Sequence, residues 1–137
     1  MQRLNLPDHD ARIKDGKIFC LIRKKWIVLT PEEWVRQHFL NLMINHLGYP
    51  KGMIQLEQSL KYFKNDKRSD IVVRNRQAEV FMVVECKAAS VALDQKVLTQ
   101  IAAYNKVLQG KFMVVTNGLK HFVWQDQTQL QEFPHFE

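Results

Sequence analysis

The chain has 137 residues, of which 46% are hydrophobic and 25% charged, a composition that fits one globular domain and excludes an intrinsically disordered protein. Its formal net charge of +6 permits a nucleic-acid partner without requiring one. No apolar run approaches the roughly 20 residues needed to cross a bilayer, and the first ten residues lack the apolar centre of a signal peptide. We therefore expect a single cytoplasmic domain over residues 1–137, with no membrane partner.

The first predicted elements are a β-hairpin and a helix. Apolar runs at 17–22 and 26–29 flank a basic turn, which is the pattern of two antiparallel strands. A helix then begins after Thr30, a suitable cap that forms a capping box with Glu33. Apolar residues recur along it at steps of three and four until Gly48 ends the helix.

The middle of the chain predicts strands that carry charged residues at their ends. Three strands are expected, over 54–63, 70–74 and 79–87. A tight turn joins the last two into a hairpin, which brings Asp70, near the start of one, opposite Glu85, near the end of the other. Glu85 and Lys87 are two residues apart and therefore share one face of their strand. Charges at the end of a buried strand are costly unless they have a function.

The last part of the chain predicts a second helix and two more strands. The helix covers 93–108, and Gln100 falls within its apolar stripe of Leu93, Val97, Ile101, Tyr104 and Leu108. Strands follow at 111–116 and 121–125, and residues 126–137 form a tail of unclear order. The helix connects the strand at 79–87 to the one at 111–116, so these two should be parallel through a right-handed crossover. The whole order predicts an α/β fold with a central mixed β-sheet flanked by helices.

Asp70 followed by Glu85-Cys86-Lys87 resembles the D…(D/E)-x-K core of the PD-(D/E)XK, or restriction-endonuclease-like, nuclease superfamily. Over about residues 30–125 the chain is similar to the N-terminal nuclease domain of type I restriction enzyme R subunits. The supporting stretches include Thr30-Pro31-Glu32-Glu33, Leu47-Gly48-Tyr49-Pro50, Gln100-x-x-x-Tyr104 and Val115-Thr116-Asn117-Gly118. Ser69 replaces the proline of the superfamily name, a position where proline is often absent. The resemblance implies a restriction endonuclease-like core.

The resemblance also implies a metal-dependent DNA endonuclease that hydrolyses phosphodiester bonds with Mg²⁺, for which Mn²⁺ can substitute. Asp70 and Glu85 would bind the metal together with the backbone carbonyl of Cys86, and Lys87 would be the catalytic lysine. Gln100 would act with this catalytic set and, with Tyr104, would help to hold DNA.

Three further residues are weaker candidates. Glu33 matches an acidic residue of the first helix in related nucleases and would be an additional metal ligand. Lys67 and Arg68 belong to a basic turn before the Asp70 strand and would contact DNA.

No G-x-x-x-x-G-K-(S/T) phosphate loop occurs in the sequence, so we expect no ATPase motor. The chain would then be either a stand-alone relative or a fragment of an R subunit. Besides DNA, the expected partners are other subunits of a restriction system or a second copy of the chain.

Each candidate also has a purely structural interpretation. Glu33 suits a helix cap that compensates the helix dipole, and Asp70 suits a turn. Glu85 and Lys87 could form an ion pair at the strand end, and Gln100 could bond to the backbone. The functional alternative is a non-catalytic DNA-binding or assembly module on a nuclease fold. The intact acid-acid-lysine set favours the enzyme.

Overall fold

The computed structural model describes residues 1–59, 68–108 and 110–136. A small sheet contains β1 (Ile13–Lys14), β2 (Lys17–Phe19) and β3 (Trp26–Val28). A large sheet contains β4 (Ile54–Ser59), β5 (Arg68–Arg74), β6 (Val80–Cys86), β7 (Phe112–Thr116), β8 (His121–Gln125) and β9 (Thr128–Leu130). The helices are α1 (Pro31–Asn45), α2 (Gln95–Leu108) and a 3-10 turn at Lys51–Met53. None of the described helices combines the length and apolar character that crossing a membrane requires.

The large sheet is mixed, as predicted. Its strands lie in the order β4-β5-β6-β7-β8-β9. Val84 of β6 lies opposite Ile71 of the antiparallel strand β5 and opposite Val114 of the parallel strand β7. The other neighbouring strands are antiparallel. The predicted parallel pairing of the strands before and after the second helix is therefore confirmed.

The two helices cover opposite faces of this sheet. Val84 belongs to an apolar cluster that contains Phe39 and Met43 of α1. The adjacent Val83 belongs to a second cluster, which contains Ile101 of α2. Since successive side chains of a strand point to opposite faces, α1 and α2 lie on either side of the sheet. This arrangement confirms the expected helix on each side.

Helix α1 begins and ends where the sequence predicts. The Thr30 hydroxyl accepts a hydrogen bond of 3.1 Å from the Glu33 N–H, and Gly48 follows the helix with a φ of +78°, a conformation that favours glycine. The capping box is only half formed. The Glu33 carboxylate accepts hydrogen bonds from Arg36 and Gln37, because these neighbours turn it toward the protein interior.

Several element boundaries differ from the predictions. The pairing of Ile18 with Ile27 confirms the first hairpin, but its strands are shorter than expected and β1 adds a third. Helix α2 begins two residues late, because the Asp94 side chain accepts a hydrogen bond from the Val97 N–H and caps it. Residues 60–63 of the predicted strand 54–63 and residues 64–67 of the predicted basic turn lie outside the described residues. Arg68, predicted to be the last residue of that turn, is instead the first residue of β5.

The tail contributes to the sheet, which its sequence pattern does not indicate. Its strand β9 pairs with β8, and Leu130 lies opposite Val123. Phe133 and Phe136 then pack against the main apolar cluster. A three-residue strand is too short for alternation to be recognised, and Asp126, at a φ of +53°, makes the tight turn that leads into it.

The N-terminal segment is tied to the turn between β7 and β8. Leu4 is buried against this turn, and the Asn5 N–H donates a hydrogen bond of 2.8 Å to the Gly118 carbonyl. His121 donates from Nε2 to the Asn5 carbonyl at 2.8 Å, which leaves Nδ1 to accept from the Thr116 hydroxyl at 2.7 Å. The neutral imidazole therefore joins the segment to the sheet.

We expect acidification to weaken this attachment. Burial lowers the pKa of His121, although its hydrogen bond to Asn5 acts in the opposite direction. A lowered pKa means that the folded protein favours the neutral imidazole over the charged one. The resulting contribution to stability is present above the ordinary pKa of about 6.5, and it is lost as the pH falls through the lowered value. The pKa values of His9 and His38 are also lowered by burial. The Tm of the wild type should therefore fall as the pH is lowered from about 7.5 to about 5. The variant His121→Gln keeps a donor for Asn5 but cannot be protonated in this range, so its Tm should fall less. Equal falls in the wild type and the variant would contradict the role of His121.

Candidate active site

A polar cavity of about 140 Å³ lies where the N-terminal turn of α1 meets β4 and the ends of β5 and β6. This volume has room for a few water molecules or a partly hydrated ion. The residues that line it are Thr30, Glu32, Glu33, Arg36, Glu57, Asp70 and Cys86.

The register of the β5–β6 hairpin sets its two acidic residues at facing backbone positions. Ile71 pairs with Val84, so continuing the register by one residue sets Asp70 opposite Glu85. The Asp70 Oδ2 atom accepts a hydrogen bond of 2.7 Å from the Cys86 N–H, which ties the two strand ends together. Asp70 and Cys86 line the cavity, whereas Glu85 is buried (8% exposed) and is not among the residues that line it.

Asp70 is a carboxyl group in a poorly solvated position. Burial raises its pKa, while the hydrogen bond from Cys86 and the charges of Arg36 and Lys87 act in the opposite direction. Nearby Glu57 adds to the increase. A bound cation would favour the ionised form of such a carboxyl group, so this environment suits a metal ligand.

Cys86 can contribute its carbonyl oxygen to such a site but not its sulfur. Burial raises the pKa of its thiol well above the ordinary value, and the charge of Asp70 adds to this increase. The thiol therefore stays protonated at neutral pH, whereas sulfur binds metals as the thiolate. Soft sulfur also suits Mg²⁺ poorly.

The described residues contain no group of three or more His, Cys, Asp or Glu side chains placed to hold a metal ion. A metal would therefore need two carboxylates supplemented by backbone and water oxygens. Magnesium sites commonly have this composition. The oxygen-rich cavity and the half-buried Asp70 fit such an ion.

Lys87 follows β6 directly and is held through its backbone. It is half-buried, and its N–H donates a hydrogen bond of 2.8 Å to the Thr116 carbonyl of β7. Asn117, which directly follows β7, is 5% exposed and donates from Nδ2 to the Val91 carbonyl at 2.7 Å. Its Oδ1 atom accepts hydrogen bonds from two backbone N–H groups of its own turn. Asn117 thus ties the loop after Lys87 to the β7–β8 turn.

Glu33 lines the cavity, but its carboxylate is already bonded. Arg36 donates from Nε to Oε2 at 2.8 Å and from Nη2 to Oε1, and Gln37 donates to Oε2 at 2.9 Å. To bind a metal, Glu33 would have to exchange Arg36 for that ion. The backbone N–H of Glu33 donates to the helix cap, as the structural interpretation predicts. Its side chain forms the ion pair with Arg36.

Glu57 is a cavity residue that the sequence analysis missed. It lies between the β4–β5 pairs Leu56–Ile71 and Gln58–Ser69, at the position facing Asp70, with a φ of +54°. This left-handed conformation is uncommon for a non-glycine residue within a strand. Alternation placed Glu57 on the polar side of its strand, and no local pattern in the sequence indicates the unusual backbone that carries it into the cavity.

Arg23 and Arg36 bind Glu57. Arg23 donates to Oε2 at 2.5 Å, and Arg36 Nη1 lies 3.5 Å from Oε1. The hydrogen bond from Arg23 lowers the pKa of Glu57, and the charge of Arg36 adds to this effect. Burial by itself lowers the pKa of Arg36, but Glu33 and Glu57 outweigh it and hold this pKa above its ordinary value.

The structure changes the interpretation of Gln100. Its side chain is exposed, so it does not face the core as the apolar stripe suggested, because Ile101 occupies the buried position of that turn. The side chains of Arg68 and Tyr104 and the whole of Lys67 lie outside the described part of the chain. Their contacts with DNA therefore stay predictions.

The sequence model of one protein family, described as the N terminus of the type I restriction enzyme R protein, matches residues 31–136. The chain belongs to this family. The match confirms the resemblance drawn from the motifs, and together with the mixed sheet it confirms the expected restriction endonuclease-like α/β core.

Two solved structures show a more distant likeness to this chain. A cryo-electron microscopy structure of a DrdV–DNA complex has 14% sequence identity and a TM-score of 0.48, and the likeness covers 78% of this chain and 9% of that chain. The type IIG restriction endonuclease BpuSI has 15% identity and a TM-score of 0.43, covering 69% of this chain and 11% of that chain. The domain thus spans about a tenth of each of these chains. No curated protein has a significant match to it.

We expect Asp70→Asn to stabilise the metal-free domain at neutral pH. Because the pKa of Asp70 is raised, the folded protein favours the protonated carboxyl group over the carboxylate. The contribution of Asp70 to stability is therefore present below the ordinary pKa of about 3.9, and it is lost as the pH rises through the folded-state pKa. Asparagine avoids this loss and can still accept the Cys86 N–H. In EDTA, the Tm of the variant should exceed that of the wild type at about pH 7.5, and the difference should shrink toward about pH 4.

The exposed acid Glu132 offers a matched control. Glu132→Gln changes the net charge equally and should leave the Tm nearly unchanged at both pH values. A lower Tm for Asp70→Asn than for the wild type at neutral pH would contradict the assignment of Asp70 as a destabilised carboxylate.

Proposed function

We propose that this member of the family is a Mg²⁺-dependent DNA endonuclease, which also accepts Mn²⁺ and hydrolyses phosphodiester bonds. The observation that supports this most directly is the hydrogen bond of 2.7 Å from the Cys86 N–H to Asp70 Oδ2. It holds a half-buried carboxyl group beside the Glu85-Cys86-Lys87 segment at the edge of a polar cavity. Membership of the restriction-enzyme R-protein family supports the same activity.

Asp70, Glu85 and the backbone carbonyl of Cys86 would hold the metal. When bound, the ion supplies charge that polarises the scissile phosphate and lowers the pKa of a water molecule. Asp70 would bind in its ionised form, and its hydrogen bond from Cys86 orients it toward the end of β6. Glu33 would join the ligands only after releasing Arg36.

Lys87 would act on the phosphate. Its position directly after β6, within electrostatic range of Asp70, sets a cation beside the carboxylates where negative charge develops during hydrolysis. The hydrogen bond from its N–H to Thr116, and the tie that Asn117 makes to the following loop, keep the lysine backbone in place. These contacts reduce the reorganisation that the reaction requires.

DNA would be bound mainly through its phosphates. The net charge of +6 suits such binding, which should weaken as salt is added. The exposed Gln100, together with Tyr104, Lys67 and Arg68, would provide contacts next to the site. Other restriction-system subunits or a second copy of the domain are further partners. Cys20 and Cys86 are free and buried, which suits a reducing compartment such as the cytoplasm.

We expect the purified domain to nick supercoiled plasmid DNA in Mg²⁺ or Mn²⁺ but not in EDTA. Lys87→Ala should lower the nicking rate by about a hundredfold or more, because it removes charge stabilisation from the transition state. Asp70→Asn should remove both nicking and the rise in Tm that Mg²⁺ causes in the wild type.

Lys111→Ala provides a matched control, since Lys111 precedes β7 at the opposite end of the sheet from Lys87 and is exposed. It should keep at least about half of the wild-type nicking rate. Undiminished nicking by folded Lys87→Ala and Asp70→Asn proteins would disprove this active site. DNA binding without metal binding or nicking would indicate a non-catalytic module instead.

A further inference from the structure

We infer that Arg36 is a built-in counter-cation of the cavity, which lowers the affinity for a divalent metal and keeps Glu33 out of its coordination. This inference rests on the proposed function, because it concerns the metal which that function requires. It assigns Arg36 a positioning and electrostatic role, with no contact to the reacting atoms.

The first observation is the location of Arg36. Its side chain lines the same cavity as Asp70, yet the residue is only 6% exposed. A metal bound by Asp70 would therefore share a poorly solvated space with a guanidinium, and like charges repel more strongly there than in water.

The second observation is the bonding of Glu33. Both of its carboxylate oxygens accept hydrogen bonds from Arg36, in the two-point geometry that guanidinium and carboxylate groups prefer. Coordination of a metal through either oxygen would break one of these bonds and leave Arg36 partly unpaired in a buried position. That penalty favours Asp70 over Glu33 as a ligand.

The third observation is that the surroundings hold Arg36 in place. Its Nη1 atom lies 3.5 Å from Glu57, and Glu57 is held from its other side by Arg23. Gln37 donates to Glu33 and accepts the Leu21 N–H at 3.0 Å, which connects the ion pair to the loop between β2 and β3. Arg36 therefore cannot leave the cavity without breaking its contacts with Glu33 of α1 and Glu57 of β4.

Charge substitutions on either side of the ion pair provide the test. Isothermal titration calorimetry with MnCl₂ and MgCl₂ would measure the metal affinity of the wild type, Arg36→Gln and Glu57→Gln. Arg36→Gln should bind metal about tenfold more tightly, since it removes a repulsive charge and frees Glu33. Glu57→Gln removes a negative charge from the same cavity and should bind metal a few-fold more weakly.

A double variant separates this effect from damage to the fold. Glu33→Gln combined with Arg36→Gln leaves the net charge unchanged and removes the extra ligand, so its metal affinity should return to within about threefold of the wild type. Circular dichroism and the Tm would establish that each variant is folded. If Arg36→Gln alone does not fold, the double variant provides the test. A metal affinity of the double variant that is far from the wild-type affinity overturns the inference.

Two results can be told apart. If the wild type binds no metal, the proposed function fails and this inference fails with it. If the wild type binds metal and folded Arg36→Gln binds it equally or more weakly, only the inference is overturned. An unchanged metal affinity with a raised KM for DNA would instead assign Arg36 to a DNA phosphate.

Discussion

The candidate site depends on the register of β5 against β6. Ile71 faces Val84 in this pairing, and the hydrogen bond from the Cys86 N–H to Asp70 closes the hairpin at its end. A slip of one residue would move every side chain of one strand to the opposite face of the sheet. Both faces are buried against helices, so such a slip would place Asp70 among apolar residues. The hydrophobic core therefore determines where the acidic residues meet.

The cavity shows how buried charges are tolerated in this domain. Glu33 and Glu57 each have a guanidinium partner, which offsets the desolvation of their carboxylates. Asp70 has only a backbone N–H as its hydrogen-bond donor among the described contacts, and burial raises its pKa. Such an electrostatically unfavourable carboxyl group is typical of functional sites, where local stability is lower than the fold could provide. The asymmetry between Asp70 and the paired glutamates is a physical argument for its role.

Much of the fold could be predicted because it follows from local patterns. Thr30 and Gly48 mark the ends of α1, and the apolar run ending at Cys86 indicates a strand buried on both faces. The order strand, helix, strand then requires a parallel pair. Side-chain exposure on α2 was less predictable. Gln100 and Ile101 are adjacent, and the stripe alone could not decide which of them faces the sheet, but burial places Ile101 there.

By itself, the sequence predicted the set of Asp70, Glu85 and Lys87, because the two-residue period of a strand and the short hairpin set these positions near one another along the backbone wherever the hairpin lies. Only the tertiary structure decided that Arg36 and Glu57 line a cavity together with Asp70. They come from α1 and β4, and they meet because the helix packs across the sheet and Glu57 adopts a φ of +54°. Neither the packing angle of a helix nor a single left-handed residue has a local sequence pattern, so their effect on the cavity appears only when the chain is folded.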